Sequence, residues 1–222
     1  MATWMTHFRI ANKFIDELSQ YDLDIPKFVF ANIAPDCGVL NDDGLTYTPS
    51  GDISHFKKDD EYEFDKFVSS YLKNEKDLSK FSFYLGYYLH LLCDEAWRDD
   101  LFRPKRQEFI YMFDDEAEGS WAFKDDWYDL DKLFIKKKSD FRGFDIFKNI
   151  ESFPNIYFEF FPTEAYNMQL NRIREFYLEE VEGLEREYIY LKEVELDSFV
   201  DKTYDKVKYK IFDVLREYEK NG

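Results

Sequence analysis

The stretch DLSKFSFYLGYYLHLLCDEAW, residues 77–97, has the most regular helical pattern in the chain. Apolar residues recur at helical spacing along one face from Phe81 to Ala96, and Phe83, Tyr87 and Leu91 cover much of the remaining surface. A helix that is apolar nearly all round lies in the middle of a domain. Residues 77–97 are therefore predicted to form a central buried helix.

His90 lies inside the apolar part of this helix, and Asp94 follows four positions later. Side chains at i and i+4 lie on the same helix face, so the imidazole and the carboxylate can bind one ion from a rigid element. The alternative is a plain hydrogen bond in which the carboxylate fixes the imidazole tautomer. Arg98, four residues after Asp94, is a rival ion-pair partner. Gly86, one turn before His90, permits close approach of another backbone or of a ligand.

Amphipathic patterns predict further helices on both sides of this one. They cover residues 2–19, 61–72, 105–113, 117–134, 144–149, 163–182 and 195–219. Residues 28–34 form a short apolar run, helical or extended, and residues 36–51 hold most of the turn residues and are predicted to form a long ordered loop. The sequence thus predicts an all-α fold in a single domain, residues 1–222, with the chemistry-bearing motifs within residues 1–100.

The composition limits the classes of function. The formal net charge is −17, from 47 acidic and 30 basic residues, and this argues against long nucleic acids as partners. Basic clusters such as residues 136–138 are interpreted as solvated faces. Neither a secretory signal nor a membrane-spanning apolar run is recognisable, and two cysteines make no disulfide framework, so we expect a cytoplasmic protein.

The other candidate ligands precede the central helix. His7 continues the apolar stripe of the first helix, so it is buried, either as a hydrogen-bonded core histidine or as a ligand. His55 follows a turn and is either a surface loop residue or a ligand. Asp36 comes after a buried apolar run, where aspartate is common in turns. Cys93 is interpreted as a small buried residue and only a weak candidate ligand.

Together these elements resemble the zinc-dependent phospholipase C family, whose fold the fungal single-strand nucleases share. The resemblance rests on TWMTHF with His7, FVFANIAPD with Asp36, ISHF with His55, and YLGYYLHLLCDEAW with His90 and Asp94. The resemblance covers about residues 1–100. Within the family, the chain is similar above all to the short cytoplasmic bacterial members. The resemblance implies an all-helical phospholipase C/nuclease-like bundle around a metal site.

The resemblance also implies a site. One ion would bind His55, His90 and Asp94, and a second would bind His7, with Asp94 bridging the two. Asp36 would be a further ligand or a general base. The metal would be zinc, with manganese, iron or nickel as alternatives, and the substrate a small or lipid-derived phosphoester hydrolysed by metal-activated water.

Two departures from the family pattern modify this expectation. In the secreted enzymes an N-terminal Trp supplies metal ligands, whereas Trp4 is internal here. This chain also has no histidine after His90 for a third ion, so one or two divalent ions are expected. The alternatives to a phosphoesterase are a catalytically inactive metal-binding or sensor protein on the same scaffold, and a helical interaction module. The oligomeric state does not follow from the sequence.

Overall fold

A computed structural model describes residues 1–138 and 140–221 of the chain. Helices account for most of these residues, which confirms the predicted all-α class. The α-helices are α1 Trp4–Leu18, α2 Ile25–Ala31, α3 Gly51–Ser54, α4 Phe64–Phe67, α5 Leu78–Ala96, α6 Arg103–Phe109, α7 Glu116–Lys137, α8 Arg142–Lys148, α9 Ala165–Leu178 and α10 Glu193–Asn221. Short strands form two antiparallel pairs, β1 Val39–Leu40 with β2 Tyr47–Thr48 and β3 Lys57–Lys58 with β4 Glu61–Tyr62. Short 3-10 turns span Ser19–Tyr21, Ala34–Asp36 and Ile110–Met112.

Helix α5 is the central buried helix that the sequence predicts. The side chain of Asp77 caps its first turn by accepting hydrogen bonds from the backbone N–H groups of Ser79 and Lys80. Every residue from Phe81 to Asp94 is buried. The helix continues through the π-helical turns Trp97–Phe102 into α6.

Helices α2 and α5 pack at very close range, and Gly86 makes this possible. A Cβ atom at Gly86 would lie 2.1 Å from the backbone oxygen of Phe28 in α2. No side chain larger than hydrogen fits there, which confirms the close backbone approach expected at this glycine. The contact fixes the end of α2, and with it the 3-10 turn Ala34–Asp36, against the central helix.

Helix α1 packs against α5, α8 and α10. Its buried face runs from Met5 to Leu18 and includes His7, as the apolar stripe predicts. The side chain of Asn32, just after α2, donates a hydrogen bond of 2.7 Å to the backbone oxygen of His7. This buried bond ties α1 to α2 beside the chemically interesting residues.

Two segments differ from the sequence-based prediction. The loop at residues 36–51 contains the β1–β2 pair, and residues 61–72 are not one helix, because residues 61–62 form β4 and α4 begins only at Phe64. The reason is a tight turn at Asp59 and Asp60, which both have positive φ and let β3 pair with β4. Within the described ranges, none of the helices combines the length and apolar character that crossing a bilayer requires.

Candidate metal centre

The five candidate ligands of the sequence analysis come from four different elements and meet in the interior. His7 lies on α1, Asp36 ends the 3-10 turn after α2, His55 follows α3, and both His90 and Asp94 lie on α5. All three histidines and Asp94 are buried, and Asp36 is nearly so. The structure therefore brings together all five residues, from positions up to 87 residues apart in the chain.

Three side chains form a compact triangle of ligand atoms. The Nε2 atoms of His55 and His90 lie 3.3 Å apart, and each lies 3.4 Å from Oδ2 of Asp94. Oδ1 of Asp36 lies 3.4 Å from the same His55 Nε2 atom. Ligands bound at 2.0–2.1 Å to a tetrahedral zinc ion lie about 3.3–3.4 Å from one another. The distances between these atoms thus match the edges of a zinc coordination tetrahedron.

His7 approaches the other oxygen of the same carboxylate. Its Nε2 atom lies 3.4 Å from Oδ1 of Asp94, and its ring stacks on that of His90 with centroids 3.9 Å apart. Two groups of residues could therefore hold an ion, one of His7, His90 and Asp94 and one of Asp36, His55 and His90. Because Asp94 offers one oxygen to each side, it can bridge two ions.

Backbone groups fix the orientation of two imidazoles. Nδ1 of His90 lies 3.0 Å from the backbone oxygen of Asn32, and Nδ1 of His55 lies 3.0 Å from that of Gly51 and from Oγ of Ser54. A carbonyl oxygen only accepts, so each Nδ1 atom carries a proton, and in the neutral ring the Nε2 atom keeps its lone pair. Metal-binding histidines are oriented in this way by their second nitrogen.

The start of the chain packs onto this cluster. The backbone N–H of Ala2 donates a 2.8 Å hydrogen bond to Oδ1 of Asp94. The next residue, Thr3, donates through its hydroxyl to the buried carboxylate of Asp131 on α7, which also accepts from the hydroxyl of Tyr177 on α9. Helices from the second half of the chain thereby hold the first residues of α1 in place.

The pKa shifts of His7, Asp94 and Asp36 suit metal binding, whereas for His90 the effect of burial is outweighed by the neighbouring carboxylates, which raise its pKa. Burial and, as a smaller cause, the charge of protonated His90 lower the pKa of His7 to about 4. Burial alone would raise the pKa of Asp94, but the charge of the chain's amino terminus and the neighbouring imidazoles hold it well below its usual range. For Asp36, too, the effect of burial is outweighed by His55 and His90, and the pKa is lowered. Near neutral pH the carboxylates are ionised and His7 is neutral, the forms that bind metal.

Several polar atoms of the cluster have no hydrogen-bond partner among the described residues. They are Nδ1 and Nε2 of His7, Oδ1 of Asp36 and Oδ2 of Asp94. Buried polar atoms are normally satisfied, because an unpaired one costs about 1–3 kcal/mol. One or two divalent cations would satisfy Nε2 of His7 and the two carboxylate oxygens, so the residues present fit the metal that the resemblance implies.

The rival interpretations find less support in the structure. Arg98 pairs with Asp99 and reaches towards Glu61 rather than Asp94. Cys93 is fully buried and belongs to neither group of potential ligands, and burial raises the pKa of its thiol well above the usual value. His55 is only 3% exposed, so it is not a surface loop residue.

The cluster opens onto a cavity of about 360 Å³. Asp36 and His55 line this cavity from one part of the chain, and α7 and α9 contribute to it from the other. The residues contributed by those two helices are Trp121, Lys124, Trp127, Tyr128, Gln169 and Arg172. Sequence reasoning missed them, because no motif marks them and only the fold brings them beside the histidines.

Residues 6–97 match the model of one protein family, whose description is zinc dependent phospholipase C. All five candidate ligands lie inside the matched range. Neither the curated proteins nor the solved structures contain a significant match to the chain.

Proposed function

Since residues 6–97 match the family model described as zinc dependent phospholipase C, we propose that the protein belongs to this family and is a metal-dependent phosphoesterase acting on a small or lipid-derived phosphoester. The observation that carries this proposal is the cavity of about 360 Å³ that Asp36 and His55 line. A purely structural metal site is closed, whereas a catalytic one keeps a position open to substrate. A cavity of this size accommodates a small phosphoester.

The distances between ligand atoms support a division of roles. His55, His90 and Asp94 would hold one ion, and His7 would hold a second with Asp94 as the bridging carboxylate. Zinc is the metal that the family description supports. Manganese, iron and nickel suit the same imidazole and carboxylate ligands.

The residues of the chain prepare the site for hydrolysis. When bound, a divalent ion supplies Lewis acidity, which polarises the phosphoryl group and lowers the pKa of water. Asp36 is ionised and faces the cavity, so its free oxygen can accept a proton from an attacking water or bind the ion. The carbonyl oxygens of Asn32 and Gly51 keep the Nε2 atoms of His90 and His55 directed inward.

We also propose that residues 1–222 form a single domain. Helices α7 and α9 supply one wall of the cavity and hold Thr3 through Asp131, so the second half of the chain completes the site that the first half begins. A second half that folded as a separate domain would leave this site incomplete in the first half.

Elemental analysis of the untagged protein tests the metal assignment. We expect one to two equivalents of a transition metal, retained by Glu95→Gln but lost by His90→Ala and Asp94→Asn. Glu95 lies on the same helix beside Asp94, outside both groups of potential ligands, so its variant controls for the change in charge. A wild-type protein that carries no metal and takes up neither zinc nor manganese would contradict the proposal.

A panel of phosphoesters then tests catalysis. The chain has no histidine after His90 for a third ion, and this favours the alternative of a metal-binding or sensor protein without turnover. The metal-loaded protein is expected to hydrolyse p-nitrophenyl phosphate or bis-p-nitrophenyl phosphate, and Asp94→Asn to lower the rate at least about 100-fold. Bound metal without hydrolysis of any phosphoester would establish the alternative.

A further inference from the structure

Two cations line the same cavity as Asp36 and His55. They are Lys124 on α7, which is half-buried, and Arg172 on α9, which is exposed. Neither forms an ion pair with any carboxylate among the described side chains, and Asp36 is the one acidic residue of the described lining. The two cations make this cavity favourable for an anion, although the chain as a whole has a net charge of −17.

Aromatic rings hold both cations at the cavity. Nζ of Lys124 lies 4.6 Å from the centre of the Trp121 ring, and the guanidinium carbon of Arg172 lies 5.7 Å from that of Trp4. Such cation–π contacts restrain a flexible side chain but leave its hydrogen-bond donors available. The donors of Lys124 and Arg172 are therefore positioned and unpaired.

The same contacts make the cavity unfavourable for a quaternary ammonium group. Such a group binds to free aromatic faces and is stabilised by nearby carboxylates. Here the cations of the chain itself contact Trp121 and Trp4, and Asp36 belongs to the candidate metal centre. A choline headgroup would meet two positive charges and no remaining negative one.

We propose that Lys124 and Arg172 recognise a second negative charge on the substrate, so that the enzyme selects phosphoesters with at least two negative charges and rejects those esterified to choline. This inference rests on the proposed function, because it concerns the substrate of the same site. A phosphomonoester dianion and a phosphodiester whose alcohol carries a carboxylate share this chemistry. Arginine and lysine bind both groups by charge-assisted hydrogen bonds.

Ligand binding, which needs no turnover, tests the proposal. Isothermal titration of the metal-loaded protein with inorganic phosphate is expected to show binding at least about fivefold weaker in Lys124→Gln and in Arg172→Gln, because each variant removes a charged hydrogen-bond donor. Lys136→Gln is the matched control, since Lys136 is exposed on the same helix but outside the cavity lining. Unchanged affinity in both cavity variants, with unchanged metal content, would overturn the proposal.

A second binding experiment distinguishes the two possible sources of the second negative charge, a phosphomonoester dianion and a carboxylate on the alcohol of a phosphodiester. Glycerophosphoserine carries a carboxylate and a primary ammonium group where glycerophosphocholine carries only a trimethylammonium group. We expect glycerophosphoserine to bind at least about fivefold more tightly, with the preference lost in the Lys124→Gln/Arg172→Gln double variant. Including p-nitrophenyl phosphate shows whether the monoester or the carboxylated diester binds better. Equal or tighter binding of the choline compound would reject the inference, whereas absence of hydrolysis alone would reject the proposed function and leave the binding result to stand.

Discussion

The Nε2 atoms of His55 and His90 lie 3.3 Å apart, although Nδ1 of each ring faces a backbone carbonyl oxygen. With both Nδ1 protons donated to those carbonyls, the two Nε2 atoms direct lone pairs towards each other and towards Asp94 Oδ2, which is 3.4 Å from each. Buried electron-rich atoms repel one another at this distance unless a proton or a metal cation lies among them. A divalent cation bound among these three atoms would remove that repulsion, and this supports the proposed metal site.

Removing the metal is expected to destabilise the fold, because the ion binds the native state and not the unfolded chain. A ligand present at 1,000 times its dissociation constant stabilises by about 4 kcal/mol. For a domain of this size, that corresponds to a fall of roughly 10 °C in the midpoint of thermal unfolding when a chelator is added. Differential scanning fluorimetry with and without the chelator measures it.

His90→Gln supplies the control for this experiment, since His90 belongs to both groups of potential metal ligands. The chelator should change its unfolding temperature little. If chelation strips the wild-type protein of metal without lowering its unfolding temperature, the buried groups do not need the ion for stability.

Replacement of Gly86 by alanine tests the packing of α2 on α5. The added methyl group would lie 2.1 Å from the Phe28 oxygen, so the two helices must separate. We expect a loss of about 3 kcal/mol or more in the free energy of unfolding, measured by urea denaturation, together with weaker metal retention. Gly51→Ala is the matched control, because a Cβ there meets nothing within 4 Å. Similar small losses in both variants would show that the close approach is not required.

Asp131 should make stability depend on pH. Burial raises its pKa to about 7, against an ordinary value of 3.8. Since the folded state holds this proton more tightly than the unfolded chain, the free energy of unfolding falls as pH rises from about 4 to about 7 and then levels off. Between pH 5 and pH 8 the loss attributable to this carboxyl is about 3 kcal/mol.

Asp131→Asn has no carboxyl to titrate, so its free energy of unfolding should not show that loss. The stability of the variant relative to wild type should therefore increase as the pH rises from 5 to 8. Urea denaturation at a series of pH values gives the difference. Asp125→Asn, which changes an exposed residue on the same helix, is the control: the difference between its free energy of unfolding and that of wild type should not vary with pH. A constant difference for Asp131→Asn as well would mean that the carboxyl does not keep its proton when the protein folds.

Asp36→Asn distinguishes the two roles proposed for Asp36. His55, His90 and Asp94 remain, so we expect at least one equivalent of metal to be retained while kcat/KM falls at least about 100-fold. Loss of the acidic limb of the pH–rate profile in the residual activity would identify a general base. Metal loss equal to that of Asp94→Asn would instead identify an indispensable ligand, and unaltered activity would exclude both roles.

The central helix, Gly86 and the family likeness could be predicted from the sequence because each depends on local spacing. Apolar residues recur about every 3.6 positions along residues 77–97, and this spacing predicts a helix without reference to the rest of the fold. A glycine inside such a helix indicates close packing against a neighbour. The meeting of His7, Asp36 and His55 with His90 followed only from the resemblance, since no local rule brings α1, the turn after α2 and α3 to one point.

The cavity wall could not be predicted in this way. Lys124 and Arg172 lie on amphipathic helices whose polar residues look like any solvated face, and the notable basic clusters of the sequence, such as residues 136–138, are elsewhere. The β3–β4 pair was missed because its turn uses two aspartates at positive φ rather than the glycine that usually marks such turns.

The bond from the Ala2 N–H to Asp94 has a practical consequence for anyone purifying the protein. Met1 and Ala2 both line the cavity, so a peptide fused ahead of Met1 would leave the fold directly at the mouth of the candidate centre. A polyhistidine affinity tag in that position would bring six or so foreign imidazoles next to the native ones. Metal stoichiometry and inhibition should therefore be measured on protein carrying its tag at the opposite terminus.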